Sequence, residues 1–172
     1  STDDSEDIIN ISWASGAYKM PFFPANDYPQ LPELNDISIS VSAPADTLLT
    51  GINNTIYATA EDELRPVMNG IFFDITPDST TLVATDSHKL VCYTRTDIKS
   101  AEKCSFILPK KPAAILRTLL PKIEDEVKIT FDTKNAYFEF EGNVLICRLQ
   151  EGNYPAYRSV IPKNNPNKLT IE

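Results

Sequence analysis

The strongest constraint on the fold is an order of elements that occurs twice between residues 37 and 149. In the first round a strand over residues 37–41 precedes a helix whose apolar residues recur at spacings of three and four, and three strand-like segments follow. In the second round residues 105–108 form the strand, Pro112 opens a short helix, and three strands follow again. One constant offset pairs Val41 with Leu108, Ala45 with Pro112, Leu48 with Ile115, Leu49 with Leu116 and Ile52 with Leu119. The repeat predicts an α+β domain made of a duplicated strand–helix–three-strand unit, with two helices on one side of antiparallel sheets.

The residues before the repeat have a different character. Residues 8–13 and 17–22 are strand-like, and Ser15 and Gly16 between them predict a hairpin turn. Four prolines from Pro21 to Pro32 indicate a linker, because proline lacks a backbone donor. A two-stranded hairpin is marginal on its own in water, so we expect it to belong to the sheet of another domain. The expected divisions are therefore 1–34 for the hairpin and linker, 35–163 for a complete domain, and 164–172 for a second linker and the start of a further strand.

The overall composition narrows the range of functions. A formal net charge of −8 argues against a protein that holds nucleic acid by a broad basic surface, although it permits a ring with a locally positive lining. No apolar run approaches the roughly 20 residues that cross a bilayer, and no leader precedes Ser1, so we expect a cytoplasmic protein without membrane contact. Cys92, Cys104 and Cys147 are predicted to be buried free thiols, and with one histidine and scattered cysteines no metal site is expected.

Four motifs, in order and at matching spacing, carry a resemblance to a known family. They are Pro24-Ala25-Asn26-Asp27-Tyr28-Pro29, Leu64-Arg65-Pro66-Val67-Met68-Asn69-Gly70-Ile71-Phe72-Phe73, Leu82-Val83-Ala84-Thr85-Asp86-Ser87-His88-Lys89-Leu90 and Gly152-Asn153-Tyr154-Pro155-Ala156-Tyr157-Arg158-Ser159-Val160-Ile161-Pro162-Lys163. In these motifs the chain resembles bacterial DNA polymerase III beta subunits, the beta sliding clamps. The resemblance covers nearly the whole chain and implies the sliding-clamp fold, with the end of the first clamp domain followed by the whole middle domain.

The resemblance also implies a function. Family members are non-catalytic processivity factors that close as homodimeric rings around double-stranded DNA, without a cofactor. They tether the DNA polymerase III catalytic subunit, the clamp loader and other proteins that carry a clamp-binding motif, and tethering raises effective concentration without strong contacts. The alternative function is a peptide-binding adaptor domain without a DNA role.

The partner groove of the family lies between the middle and last domains. Carried across motif by motif, its middle-domain side falls on Met68, Thr85, Ser87, His88, Lys89, Leu90, Pro155 and Val160. The apolar members suit a leucine or phenylalanine anchor of a peptide, and the polar members offer hydrogen bonds. Many clamps carry glycine and arginine where this chain has Ser87 and Lys89, so the loop backbone is expected to differ here.

His88 also permits an enzymatic interpretation, because Asp86, Ser87 and His88 are the residue types of a hydrolase triad. Consecutive residues on an extended loop point apart, whereas a triad needs three side chains that converge from different elements. The glycines of a nucleophile elbow are also missing. The sequence therefore predicts no catalytic residue.

Two further sets of contact residues follow from the resemblance. The helices of each clamp domain line the ring, which makes Lys110, Lys111 and Arg117 candidates to face DNA phosphates. The loop before Arg65 approaches the duplex in the family, which adds Arg65 to the candidates. A solvated helix face is the other interpretation, and the acidic residues 61–63 would repel phosphate. Tyr18 and Met20 fall at the family's apolar subunit contact, although packing inside the first domain explains the same alternation.

Overall fold

A computed structural model describes residues 2–3, 7–35 and 37–164. The chain divides into two compact units, Ser1–Glu33 and Leu34–Glu172. The first unit is an antiparallel sheet in the order β1-β2-β3, with β1 over Thr2–Asp3, β2 over Ile8–Trp13 and β3 over Gly16–Pro21. The predicted hairpin is confirmed, but its turn lies at residues 14–15, because Trp13 pairs directly with Gly16. A Cβ atom on Gly16 would lie 2.7 Å from the Trp13 ring, so glycine is the residue that lets the indole pack over the strand start.

The second unit holds the repeat. Its elements are β4 (Ile39–Pro44), α1 (Ala45–Thr55), β5 (Gly70–Ile75), β6 (Thr80–Thr85), β7 (Leu90–Arg95), β8 (Cys104–Pro109), α2 (Lys110–Leu119), β9 (Glu126–Phe131), β10 (Asn135–Phe140), β11 (Asn143–Arg148) and α3 (Tyr157–Val160). Short 3-10 turns occupy Ala25–Asp27 in the first unit and Ile56–Ala58, Pro66–Met68 and Leu120–Lys122 in the second. The strands form two antiparallel four-stranded sheets, ordered β11-β10-β9-β4 and β7-β6-β5-β8. Each half of the repeat therefore gives its first strand to the sheet of the other half, which joins both halves into one domain.

The duplication is confirmed, but the predicted register between its halves is wrong. Both helices begin immediately after a proline that ends a strand, Pro44 before α1 and Pro109 before α2. Leu48 is fully buried, whereas its predicted partner Ile115 is 40% exposed. Aligning the two prolines pairs Leu48 with the buried Ala113 instead. The predicted offset between the halves is therefore two residues too large. Apolar spacings of three and four recur at several offsets, so periodicity alone could not select the right one.

The core lies where the sheets and helices meet. Leu48 and Ile52 of α1, Leu116 of α2, and Phe73 and Phe138 of the two sheets are at most 2% exposed. Full burial of one such side chain contributes roughly 1.5–3 kcal/mol to folding. The helices contact each other, and α1 packs on β6 and β7 while α2 packs on β5 and β8. This packing keeps one face of each helix away from the core.

The cysteine prediction holds for two of the three residues. Cys104 and Cys147 are buried free thiols, and burial raises the pKa of Cys147 to about 11. Cys92 is exposed, because it lies on the face of β7 opposite to the core. In a half-buried strand every second residue points outward. The hydrophobic neighbours of Cys92 in the sequence therefore do not show on which face of the strand it lies.

Candidate functional site

The loop between β6 and β7 is closed by its own side chains. One carboxylate oxygen of Asp86 accepts the backbone N–H groups of His88 and Lys89, each at 2.9 Å, and the Lys89 ammonium pairs with the other oxygen. The Thr85 hydroxyl donates to the Lys89 carbonyl at 2.8 Å and accepts the Ser87 N–H at 3.2 Å. The Lys89 ammonium, and then the two backbone N–H groups, hold the pKa of Asp86 well below its usual range. The loop is therefore preformed.

Ser87 connects this loop to the segment before β5. Its φ angle is 76°, in the left-handed region that favours glycine. The Ser87 hydroxyl accepts from the Arg65 guanidinium at 2.6 Å and donates to the Met68 sulfur at 3.6 Å. Because Ser87 and Asp86 are engaged in these contacts, neither takes the partner that a hydrolase triad requires.

The opposite wall comes from residues 150–160, which we call the arm. The arm follows β11 and ends in α3, a single helical turn. The Tyr154 ring stacks on Phe72 of β5, with ring centroids 4.7 Å apart, and burial raises the pKa of Tyr154 to about 12. Pro155 and Val160 lie on the arm, and Val160 is 68% exposed.

The loop between β6 and β7, the arm and the 3-10 turn at Pro66–Met68 border a depression of about 590 Å³. It is lined by Met68, Thr85, Ser87, His88, Lys89, Leu90, Pro155, Ala156, Tyr157, Ser159, Val160, Ile161 and Pro162. All eight residues assigned to a peptide groove from the sequence lie in this lining, although they come from three separate segments. Their role in binding stays a prediction, as does the orientation of the depression toward residues 164–172, since residues 165–172 lie outside the described part of the chain.

Sequence reasoning missed five of the lining residues, namely Ala156, Tyr157, Ser159, Ile161 and Pro162. All five belong to the motif that begins at Gly152, so the signal was present in contiguous sequence. Only the fold shows that α3 turns this stretch along the depression rather than away from it.

The family model for the central domain of the DNA polymerase III beta subunit matches residues 42–156. This chain belongs to the DNA polymerase III beta subunit family. It is 37% identical over 122 residues to the beta sliding clamp of Borreliella burgdorferi, an alignment that covers 70% of this chain and 31% of that protein. It is 25% identical to the clamp of Synechococcus elongatus over 99% of this chain and 46% of that protein. The chain thus spans less than half the length of these relatives.

Solved structures agree with the family. A DNA polymerase sliding clamp from Bacillus subtilis superposes with a TM-score of 0.81 at 25% identity, over 94% of this chain and 42% of that chain. A sliding clamp from Bartonella birtlesii bound to griselimycin superposes with a TM-score of 0.81 at 27% identity, over 93% of this chain and 44% of that chain. The predicted α+β sliding-clamp fold is therefore confirmed.

The four basic residues assigned to DNA differ in their surroundings. Lys111 and Arg117 are both exposed on α2, whose buried residues are Ala113 and Leu116. The Lys110 ammonium instead lies 2.5 Å from a carboxylate oxygen of Glu61, and this ammonium lowers the pKa of Glu61. Arg65 is bonded to Asp62 at 2.9 Å and to the Ser87 loop. The acidic loop thus neutralises charges that the sequence had assigned to phosphate, and the DNA role of all four stays a prediction.

Tyr18 and Met20 lie on one face of the β2–β3 hairpin. Tyr18 pairs with Ile11 and Met20 with Ile9, and directly paired residues point to the same side of a sheet. Tyr18 is 60% and Met20 43% exposed in this chain. An exposed apolar stripe on a hairpin suits both the subunit contact and packing within a larger first domain, so both interpretations stay open.

The described residues contain neither a cluster of metal-ligating side chains nor a membrane-spanning helix. Within residues 7–35 and 37–164, no three His, Cys, Asp or Glu side chains cluster in a way that could hold a metal ion. None of the helices in those ranges is long and apolar enough to cross a membrane.

Proposed function

We propose that this chain is the peptide-binding central part of a DNA sliding clamp, a non-catalytic processivity factor of the bacterial replicative polymerase in the cytoplasm. In this proposal the full-length protein closes as a homodimeric ring around double-stranded DNA. Residues 1–34 supply the end of the first clamp domain and residues 35–163 the middle domain. The polymerase catalytic subunit, the clamp loader and other proteins with a clamp-binding motif are the partners.

The observation that carries the proposal is the depression around Met68, Leu90, Pro155 and Val160. Its apolar side chains provide a preformed pocket for one or two anchors of a short peptide, which costs little ordering of the protein. The side chains of His88 and Lys89 stand exposed at its rim, where they can meet polar groups of the peptide. We further propose that griselimycin, which the Bartonella birtlesii clamp binds, occupies the same depression here.

A nuclear magnetic resonance titration tests the groove. A peptide with adjacent leucine and phenylalanine anchors, and separately griselimycin, would be added to the isotope-labelled chain. We expect shifts at the amides of residues 85–90 and 155–162 and little change around the hairpin of residues 141–142. Shifts that centre on the second loop, or none with either ligand, would place the groove elsewhere. Because the last clamp domain completes the groove in the family, we expect weaker binding here than in a full-length clamp.

The DNA role needs a full-length clamp that carries this sequence. Retention on nicked circular DNA, followed by loss when the circle is cut, is the expected behaviour of a ring that holds DNA by topology. Reversing the charge of Lys111 and Arg117 should reduce retention at low salt, because local charge decides which surface phosphate approaches. The matched control is Lys99→Glu in the loop after β7. Equal retention on circular and linear DNA would favour the adaptor function instead.

A further inference from the structure

The arm depends on other parts of the fold for its conformation. Its only helix, α3, has four residues, and an isolated helix of that length is not stable in water because nucleation is unfavourable. The arm crosses the face of the β7-β6-β5-β8 sheet that carries Phe72 and Asp74, since Ile71, Phe73 and Ile75 point into the core. One wall of the depression is therefore held in place by contacts with this sheet face.

Asp74 is an unusual residue for such a place. It lies next to the last residue of β5, between the core side chains Phe73 and Ile75, and is only 8% exposed. A buried carboxylate is costly unless donors surround it. Its oxygen Oδ2 accepts from the Tyr157 hydroxyl at 2.8 Å and from the Arg158 guanidinium at 3.0 Å. Both donors belong to the arm, so the arm supplies the two hydrogen bonds that the Asp74 carboxylate accepts.

The arm side of this contact is itself connected. Arg158 donates through Nε to the Tyr157 hydroxyl at 3.0 Å, and its guanidinium carbon lies 5.5 Å from the centre of the Tyr157 ring. Burial, the largest effect, raises the pKa of Tyr157, so the phenol keeps its proton and donates at neutral pH. Three linked hydrogen bonds with defined directions fix the rotation of α3 more closely than apolar packing alone would.

We propose that Asp74 and Tyr157 are positioning residues for the depression, an inference that rests on the peptide-binding function proposed above. They hold the arm so that Pro155 and Val160 face the loop of residues 85–90 before any ligand arrives. Without this contact the arm samples undocked conformations, and the apparent affinity falls by the fraction of molecules in which the wall is in place. The groove is thus shaped by a polar contact between the arm and β5.

The test uses the 172-residue chain with Asp74→Asn, Tyr157→Phe and both changes together. Asn keeps the size of the side chain but loses the charge that Arg158 meets, and Phe removes only the phenol hydroxyl. We expect faster hydrogen exchange at the amides of residues 150–160 with sheet amides unchanged, and about tenfold weaker binding of a fluorescent leucine–phenylalanine peptide. Saturating peptide should restore the protection of the arm. The double variant should lose less than the product of the two single losses, because both changes break one contact.

Asp97→Asn and Tyr57→Phe are the matched controls. Asp97 is bonded to Arg95 at the end of β7, and Tyr57 is exposed after α1. Wild-type exchange in the arm of both test variants would overturn the inference, as would faster exchange spread over the whole sheet, which indicates a merely structural role. Failure of the unchanged chain to bind peptide would instead remove the proposed function, and arm exchange would still decide whether Asp74 and Tyr157 hold the arm.

Discussion

The hairpin loops after β6 and after β10 occupy the same place in the two halves of the repeat, and they differ in length. The second is a tight turn of Glu141 and Gly142 with φ angles of 45° and 74°, as expected for a two-residue hairpin. The first has four residues between Thr85 and Leu90, closed by the Asp86 carboxylate. The longer loop places side chains beyond the ends of β6 and β7, whereas both residues of the tight turn are needed to reverse the chain.

The chain that follows each half decides which loop becomes part of a site. After β7 the chain passes through residues 96–103 to β8, while after β11 it becomes the arm and docks on the sheet of the first half. Within the described residues the arm therefore adds a wall to the first loop alone, whereas the second loop borders a smaller depression of about 390 Å³ with Leu119, Lys122 and Ile123. The duplication supplies two equivalent places, and an unduplicated segment selects one of them.

The largest effect should come from placing a carboxylate in the first site. Leu90→Asp and Val160→Asp should each weaken binding of the leucine–phenylalanine peptide by at least ~2 kcal/mol, because the ligand would bury an unpaired charge. Val144→Asp is the matched control, since Val144 is also exposed and follows the second loop. Fluorescence polarisation gives the affinities. Equal losses in all three variants would mean that the two loops do not differ as binding surfaces.

In the tight turn of Glu141 and Gly142, a substitution that restricts the backbone should lower stability without affecting peptide binding. Gly142→Ala should lower the free energy of unfolding by about 1 kcal/mol, because a side chain is strained at positive φ. Nothing lies within 4 Å of the added Cβ atom, so the cost is conformational rather than steric. Urea unfolding measures the change, and peptide affinity should stay as in the unchanged chain. An unaltered midpoint would show that this turn relaxes freely.

Ser87→Gly probes the same conformation in the longer loop and should have a smaller effect. Glycine relieves the left-handed conformation of residue 87, but the contacts of the hydroxyl with Arg65 and Met68 are lost. The two terms oppose each other, so we expect the free energy of unfolding to change by less than about 0.5 kcal/mol. A gain or loss above about 1 kcal/mol in urea unfolding would show that one term dominates.

The smallest expected difference between the two loops is in how stability depends on pH under acidic conditions. The folded pKa of Asp86 lies below its usual value of 3.8, so its contribution is present above that value and is lost as the pH falls toward the lowered pKa. The stability of Asp86→Asn should therefore fall less steeply than that of the unchanged chain from about pH 5 to about pH 3. Glu141→Gln is the control in the second loop. Parallel curves for the unchanged chain and Asp86→Asn would mean that the carboxylate does not close the loop.

Much of this protein follows from its sequence alone. Alternation and helical spacing predicted every strand and both long helices of the second unit, because burial of one face imposes a period on the chain. The motifs around Arg65, Thr85 and Gly152 predicted the lining of the depression before its geometry was known. Turn residues predicted the hairpin of the first unit to within one residue.

Other features required the tertiary structure. The register between the halves depends on where each strand ends against its neighbour, and apolar spacing fits several offsets equally well. The pairing of Lys110 with Glu61 and the contact of Asp74 with Tyr157 join residues 49 and 83 positions apart. The sequence around a charged residue does not identify its partner, because the partner depends on how the sheets and the arm pack. The sequence determined which segments form the depression, and only the packed fold decided which charged side chains pair with one another.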